Sequence, residues 1–344
     1  MIGPDRLRVA ILIVGFRNAQ DVKACLTALS RATAEPRFDV FVCENGGPES
    51  FHELCDSLAG QEGPCVSGAD DFSEALASAG RFVNITCLAL RGRPSRVWLG
   101  CAGQNLGYAG GINAWLDRLL KMPDYDGAWI LNPDAEPDPN ALRALVDRAV
   151  TAGKGMVGST IVPSVGCSHI HCRGGLRWRK LRTNLALIGL GEPVDESVDP
   201  EAVEADLDCF AGGSMYVTRA CLEKIGLMDE RFFLFYEDAD WSFRAKKHGL
   251  GYAPDSIVPH KGGTTIGSAR LRAERSRLSV YLDSRNHLHF VRMHRGRYFP
   301  IAILLGCVEA ASYLVAFSPR NFKAAIAGLV AGMRGETGRP NFHR

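Results

Sequence analysis

Apolar positions along the chain fall into short unbroken runs, separated by stretches in which they recur every three or four residues. That texture belongs to buried strands alternating with amphipathic helices. Val9–Val14 reads as the first strand, Ala19–Ser30 as a helix, and Val40–Cys43 as a second strand that breaks into the polar turn Glu44-Asn45-Gly46-Gly47-Pro48. The order predicts a mostly parallel α/β sheet flanked by helices. Ligands bind such sheets beyond the carboxyl ends of the strands, so Phe16-Arg17-Asn18 and Glu44-Asn45-Gly46 are expected to converge on one crevice. From about Ala59 to Gly103 the pattern weakens to the runs Val83–Leu90 and Val97–Leu99, and a strand-rich insertion is expected. It strengthens again as helix Tyr108–Leu120, strand Ala128–Leu131, helix Asn140–Ala149 and strand Met156–Val162.

Beyond Pro163 the texture changes. Arg and Gly crowd Arg173–Arg182 and acids crowd Glu192–Asp208, which suggests a mobile connection across the site. Ser214–Val217 then reads as a strand, Ala220–Ile225 and Trp241–His248 as helices, Tyr252–Pro259 as a strand, and Arg270–His294 as a long basic helix. On that helix Tyr281, Arg285 and Asn286 are candidates to face substrate, with lipid contact as the other reading of Arg285. Phe299–Phe317 is apolar except for Glu309 and is about long enough to cross a bilayer, although the glutamate argues against a simple span. Arg292, Arg295, Arg297, Arg320 and Lys323 flank it, the pattern of a helix lying in an anionic membrane interface; a core or dimer helix fits the same pattern.

Composition narrows the class. The chain has 344 residues, 46% hydrophobic and 23% charged, enough for one large or two modest globular domains. A net charge of +2 gives no support to a nucleic-acid partner. Its 11 cysteines are odd in number and lack a Cys-x-x-Cys pair, which points to a reducing compartment and cytoplasmic residence. The N-terminus lacks the tripartite order of a secretory signal. His169-Ile170-His171-Cys172, with Cys167 nearby, matches no closed zinc spacing.

Three segments carry candidate chemistry. Phe232-Phe233-Leu234-Phe235-Tyr236-Glu237-Asp238-Ala239-Asp240-Trp241 sets three carboxylates behind an aromatic run, and clustered acids resist burial unless a cation or a proton-transfer role compensates. Acids opening a helix also suit its macrodipole, and Arg244, Lys246 and Lys247 follow at the other end. Asn132-Pro133-Asp134 follows a strand, where hard divalent ions find oxygen ligands and share them with phosphates; a capping turn has the same sequence. Asn105-Leu106-Gly107-Tyr108-Ala109-Gly110-Gly111-Ile112-Asn113 opens a helix with glycines that admit an anion, but it is neither a P-loop nor a GxGxxG fingerprint.

In order and spacing, Ile11–Asn18, Cys43–Glu49, Asn105–Asn113, Leu131–Asp134, Phe210–Arg219 and Gly226–Arg244 resemble family 2 glycosyltransferases, particularly bacterial rhamnosyltransferase-like members. The resemblance runs from about Arg8 to Thr265. It implies a GT-A type, Rossmann-like domain over residues 1–267, with a nucleotide-sugar part to about 162 and an acceptor part from 163. Residues 268–344 would form a helical extension that meets the membrane or a second subunit. It further implies that Asp134 binds Mg2+ or Mn2+ with help from His260, and that Asp238 is the general base. Phe16, Asn18, Glu44, Asn45, Asn105, Gly107, Gly111, Asn113 and Asn132 would contact the nucleotide sugar, and Gly212 and Gly213 would let donor and acceptor approach. Glu237, Asp240 and Trp241 are supporting or acceptor-side candidates, with capping and core packing as their other readings.

The function so implied is inverting, metal-dependent transfer of a sugar, L-rhamnose from dTDP-L-rhamnose, to a saccharide or lipid-linked saccharide in envelope polysaccharide synthesis. The enzyme would be cytoplasmic or peripheral on the inner membrane face, with a homodimer compatible. A sugar nucleotidyltransferase needs similar parts but would release pyrophosphate, and it favours a basic glycine-rich loop where Gly15-Phe16-Arg17-Asn18 stands. A non-catalytic membrane-associated binding subunit would not need Asp134, Asp238 and His260.

Overall fold

A computed structural model describes residues 7–68, 80–262 and 274–340. The chain opens with β1 Arg8–Gly15, α1 Ala19–Ser30, β2 Arg37–Glu44 and α2 Pro48–Ala59, followed by β3 Cys65–Ser67, β4 Phe82–Leu90 and β5 Arg96–Ala102. Next come α3 Gly107–Leu119, β6 Gly127–Leu131, α4 Ala141–Thr151 and β7 Met156–Val162. Then follow β8 Cys172–Arg173, β9 Gly175–Arg179, β10 Asn184–Leu187, α5 Pro200–Asp206, β11 Cys209–Phe210, β12 Ser214–Thr218 and α6 Arg219–Ile225. The described chain ends with α7 Glu237–Ala245, β13 Leu250–Pro259, α8 Arg277–His294, α9 Phe299–Val315 and α10 Pro319–Arg334.

Strands β13, β7, β12, β6, β1, β2, β5, β4 and β3 lie side by side, with β8 also paired to β7. β1 is buried on both faces, which is why it reads as an unbroken apolar run. Val9, Ile11 and Ile13 enter the core on one side, and Ala10, Leu12 and Val14 the core on the other. Val22, Cys25, Leu26 and Leu29 of α1 repeat at helical spacing and close the first of these cores. Pairing is parallel among β6, β1, β2 and β5, and also between β7 and β13, while β12 runs antiparallel between β6 and β7.

The strand-rich insertion is present as β3, β4 and β5, with residues 69–79 outside the described part. Two expectations need correction. Residues 163–208 form ordered elements rather than a mobile connection: β9 pairs with β10 and β11 in a small second sheet. The Arg-rich and acid-rich stretches pair with each other, Arg173 with Glu192 at 2.6 Å and Arg177 with Asp206 at 2.6 Å. The helix expected at Trp241–His248 begins at Glu237, so the acids form its first turn, where the helix dipole favours them; Lys246–His248 is a separate 3-10 turn.

The basic helix is described from Arg277, where the Ser276 hydroxyl accepts from the Ser279 amide at 3.1 Å. Residues 270–273 of the expected helix, the end of the resemblance at Thr265 and the expected domain boundary after 267 lie outside the described residues. A third core joins Phe232, Phe233 and Ala239 to Val280, Leu282, Leu288, Phe290 and Leu329, so the C-terminal helices share packing with the acidic segment.

Candidate active site

Parallel strands bring the residues after β1, β2, β5, β6, β7 and β13 to one edge of the sheet, and the reversed β12 brings its amino end, Gly212-Gly213, to the same place. There Glu44 is buried, and its Oε1 accepts the amides of Arg17 at 3.1 Å and Gly46 at 2.6 Å. Burial pushes its carboxyl above the usual range, and those two amides oppose the rise. Its Oε2 is buried without a hydrogen-bond partner among the described residues. Asn18 Oδ1 accepts the Phe16 amide at 2.9 Å and shapes the neighbouring loop. The two loops after β1 and β2 therefore interlock as the sequence pattern predicts.

Asn45 is buried and works through the glycine loop. Its Nδ2 donates to the Gly107 carbonyl at 2.9 Å, and its Oδ1 accepts the Leu106 amide at 3.3 Å. Asn105 Oδ1 accepts the Gly107 amide at 2.9 Å. Gly107 has a φ of +74°. A Cβ there would lie 2.2 Å from the Phe233 carbonyl oxygen, so the site requires glycine twice over.

Asp134, after β6, and His260, after β13, meet with Oδ1 and Nε2 3.0 Å apart. The same Nε2 lies 3.0 Å from Asn132 Nδ2, and Asn132 Oδ1 lies 2.9 Å from the Tyr108 hydroxyl. Tyr108, Asn132, His260 and Asp134 thus form one connected polar chain across the edge of the sheet. Asp134 Oδ2 accepts the Gly262 amide at 2.9 Å. Burial alone would raise the Asp134 carboxyl, but His260 and the backbone amides outweigh it and hold it below the usual range. An imidazole nitrogen and a carboxylate fit a divalent ion that completes its shell with phosphate oxygens. Among the described residues no group of three His, Cys, Asp or Glu side chains forms a fuller cage.

The second centre is the opening of α7. Asp238 Oδ1 accepts the Ala239 amide at 2.7 Å, and a Cβ on Gly212 would lie 2.8 Å from Asp238 Oδ2. Gly213 stands equally close to the other centre, since its Cβ would lie 3.0 Å from His260 Nδ1. Burial pushes Asp238 up to about 6, with the amides of Ala239 and Gly212 acting against it. Glu237 is buried deeper. Burial, and then the Asp238 charge, raise its carboxyl well above the ordinary range, and its Oε2 has no partner among the described residues. Such surroundings favour the neutral form of Glu237 and leave Asp238 able to exchange a proton near neutrality.

Four candidates make contacts within the scaffold. Asn113 is buried and fastens the segment before the aromatic run: its Nδ2 donates to the Met228 carbonyl and Glu230 carboxylate, both at 2.9 Å, and its Oδ1 accepts the Met228 amide at 3.0 Å. Gly111 is a packing glycine, because a Cβ there would meet Val14 at 2.8 Å. Asp240 turns away to Arg244 at 2.9 Å and His294 at 2.8 Å. Its position inside the helix also rules out the capping role. Trp241 is fully buried, with its indole nitrogen 2.9 Å from the Gly226 carbonyl, as core packing requires.

Tyr108 was hidden from sequence reasoning. Its hydroxyl lies 2.9 Å from Asn132 Oδ1 and 3.2 Å from the Gly212 carbonyl, so one side chain connects the Asp134–His260 pair to the glycine beneath Asp238. An aromatic residue set within a glycine loop was the available signal. Arg285 and Asn286, candidates to face substrate, with lipid as the other reading of Arg285, are each only 1% exposed.

No family model matches the chain. Among curated proteins it is similar to the low-salt glycan biosynthesis hexosyltransferase Agl10 of Haloferax volcanii, 23% identical over 70% of this chain and 76% of that protein. It is also similar to the N-acetylglucosaminyl-diphospho-decaprenol L-rhamnosyltransferase of Mycobacterium tuberculosis, 26% identical over 54% of this chain and 66% of the relative. Among solved structures, GalNAc-T7 with UDP, GalNAc and Mn2+ aligns with a TM-score of 0.54 and 13% identity over 96% of this chain and 57% of that one. The fold is thus GT-A type, a mostly parallel sheet flanked by helices with a helical C-terminal region. Fold and relatives together define the class of the protein, which is a glycosyltransferase of the hexosyltransferase kind.

Proposed function

We propose that the protein is an inverting, metal-dependent glycosyltransferase that moves L-rhamnose from dTDP-L-rhamnose to a saccharide or lipid-linked saccharide used in envelope polysaccharide synthesis. One arrangement carries the assignment: a carboxylate–imidazole pair suited to a cation and a half-buried carboxyl of raised pKa share one sheet edge, bridged by Tyr108. The rhamnose and lipid-linked acceptor draw support from the activity for which the mycobacterial relative is named.

In this reading Glu44, Asn45 and the Asn105–Gly107 loop shape the nucleotide end of the cleft. Asp134 and His260 would hold the ion, which would supply positive charge to neutralise the departing diphosphate. Asp238 takes the proton of the acceptor hydroxyl as its oxygen bonds to the anomeric carbon. The bond from that carbon to the diphosphate oxygen breaks, nucleoside diphosphate leaves with the electron pair, and configuration inverts. Gly212 and Gly213 leave room for both sugars.

The test is a panel of dTDP-, UDP- and GDP-sugars with N-acetylglucosaminyl-diphospho-decaprenol and Mn2+ or Mg2+. Release of dTDP from dTDP-L-rhamnose with a lengthened lipid product supports the proposal. Release of pyrophosphate would indicate nucleotidyl transfer, and no product from any donor would reject the enzymatic reading.

Membrane attachment at an anionic surface belongs to the same proposal. Gly296–Val315 is the one segment among the described residues long and apolar enough to cross a bilayer, yet only 17% of it is buried. Ile301, Leu304, Val308 and Val315 repeat along the exposed face of α9, and exposed Arg297, Arg320 and Lys323 stand at its ends. Helical spacing sets Glu309 about a quarter turn from Val308, at the margin of that stripe. A helix lying in the interface plane is therefore favoured over a span. Flotation with phosphatidylglycerol-containing vesicles should be lost on Val308→Glu with Leu304→Glu. If the double variant floats like the native chain, this face is not the anchor.

A further inference from the structure

The aromatic run before α7 adopts a backbone that its own residues disfavour. Phe233, Phe235 and Tyr236 have φ values of +62°, +68° and +73°. Side chains with a Cβ enter this left-handed region at a cost of roughly 1–2 kcal/mol each. Such a loop persists only when its surroundings overdetermine it.

Those surroundings come from α8. Asn286 Nδ2 donates to the carbonyls of Phe232 at 2.7 Å, Leu234 at 2.8 Å and Phe235 at 3.0 Å. Its Oδ1 accepts from Arg285 Nε at 2.9 Å, which fixes the orientation of the amide. Arg285 adds a bond to the Phe232 carbonyl at 3.3 Å and ties in the Gly338 carbonyl at 2.8 Å. The two N–H donors of Asn286, on a short stem, reach all three buried carbonyls, with one hydrogen shared between two of them.

The loop passes its geometry to both halves of the site. The Tyr236 carbonyl accepts the Asp240 amide at 2.8 Å, so the last left-handed residue sets where α7 begins and where Asp238 points. The Phe233 carbonyl accepts the Tyr108 amide at 2.8 Å, so the same loop sets the residue that bridges the two centres. Asn286 itself is 1% exposed and touches the loop backbone, not the cleft.

We propose that Asn286, supported by Arg285, is a positioning residue for the transfer reaction. It holds the left-handed loop that aims Asp238, and through it the C-terminal helices take part in building the catalytic edge. The proposal rests on the reading of Asp238 as the base.

The test is a double-mutant cycle between Asn286→Leu, which keeps the branched heavy-atom outline and removes the donors, and Asp238→Asn. Turnover is measured on whichever donor of the panel above is active, and hydrogen exchange on all four proteins. Asn286→Leu should lower kcat by on the order of 100-fold while the donor KM stays within about threefold, and exchange should rise at the amides of Tyr108, Leu234 and Asp240 but not in β1. In the Asp238→Asn background the same substitution should cost less than about threefold, because it acts through that carboxylate.

Equal losses in both backgrounds would mean general damage and overturn the proposal, as would an unchanged kcat. Asn286→Asp, which faces the carbonyls with a carboxyl, gives a second variant: activity equal to the native enzyme overturns the proposal even if Asn286→Leu fails to fold. An active Asp238→Asn enzyme would instead reject the base assignment, while the exchange pattern would still report on the clamp.

Discussion

Asp134 and Asp238 stand at the same edge of one sheet, yet their surroundings drive their charge in opposite directions. Asp134 faces an imidazole and accepts the Gly262 amide, and its carboxyl is held below the usual range despite burial. Asp238 sits beside another acid with backbone amides as its main relief, and burial lifts it to about 6. A carboxylate kept charged suits a permanent cation; one poised near neutrality suits a proton that must come and go. Residue type alone does not separate the two roles, but hydrogen-bond partners do.

The comparison breaks most sharply at the base. Asp238→Asn should reduce kcat by about 10²- to 10⁴-fold, the usual worth of a general base. A loss below tenfold in steady-state assays would place proton transfer elsewhere. At the other centre, Asp134→Ala should cost at least roughly 100-fold in kcat/KM, and His260→Ala about 10- to 100-fold, with part of each loss recovered at high Mn2+. Metal titrations that leave both variants at native activity would contradict the cation role.

The pH dependence sharpens the contrast. With Asp238 as the proposed base, kcat/KM should rise tenfold per pH unit up to about 6 and level off above it. Glu237→Gln should leave that limb in place, since burial and the Asp238 charge favour the neutral form of Glu237. Stability should follow the opposite sign. A carboxyl whose folded pKa exceeds its unfolded value of about 3.9 favours the fold below that value and loses this contribution as pH climbs through about 6. Asp238→Asn should therefore raise Tm at pH 8 and not at pH 4, and thermal melts at the two values decide it.

Smaller effects belong to the scaffold. Gly212→Ala sets a methyl against Asp238 Oδ2 and should lower kcat by roughly tenfold, the scale on which small misplacements of reacting groups act, with little change in metal affinity. Asn113→Ala should cost about 1–3 kcal/mol in denaturant melts by stranding the Met228 and Glu230 partners, while kcat/KM stays within twofold. A kinetic loss without a stability loss at Asn113 would return it to the cleft.

Much of the sheet was legible because a strand buried on both faces writes itself as a continuous run, as in Ile11–Val14, and because α1 repeats at helical spacing. The ordered connection after β7 was not, since β9 pairs with the distant strand β11, and Arg173 and Arg177 meet acids 19 and 29 residues away, contacts that leave no local pattern. The acids and glycines of the site were legible as types, but their partners were not. Asp240 and Asp238 look alike in sequence, and only the fold turns one toward His294 and the other toward Gly212. Asn286 was noticed for the wrong reason, because a long-range bond from a helix side chain to loop carbonyls leaves no periodic trace.

The division of labour between the two aspartates is tested most directly by calorimetric titration of dTDP, with and without Mn2+, into the native enzyme, Asp134→Ala and Asp238→Asn. The account predicts that Asp238→Asn binds dTDP with native, Mn2+-dependent affinity while Asp134→Ala loses the Mn2+ dependence. Loss of Mn2+-dependent binding in Asp238→Asn, or its retention in Asp134→Ala, would contradict it.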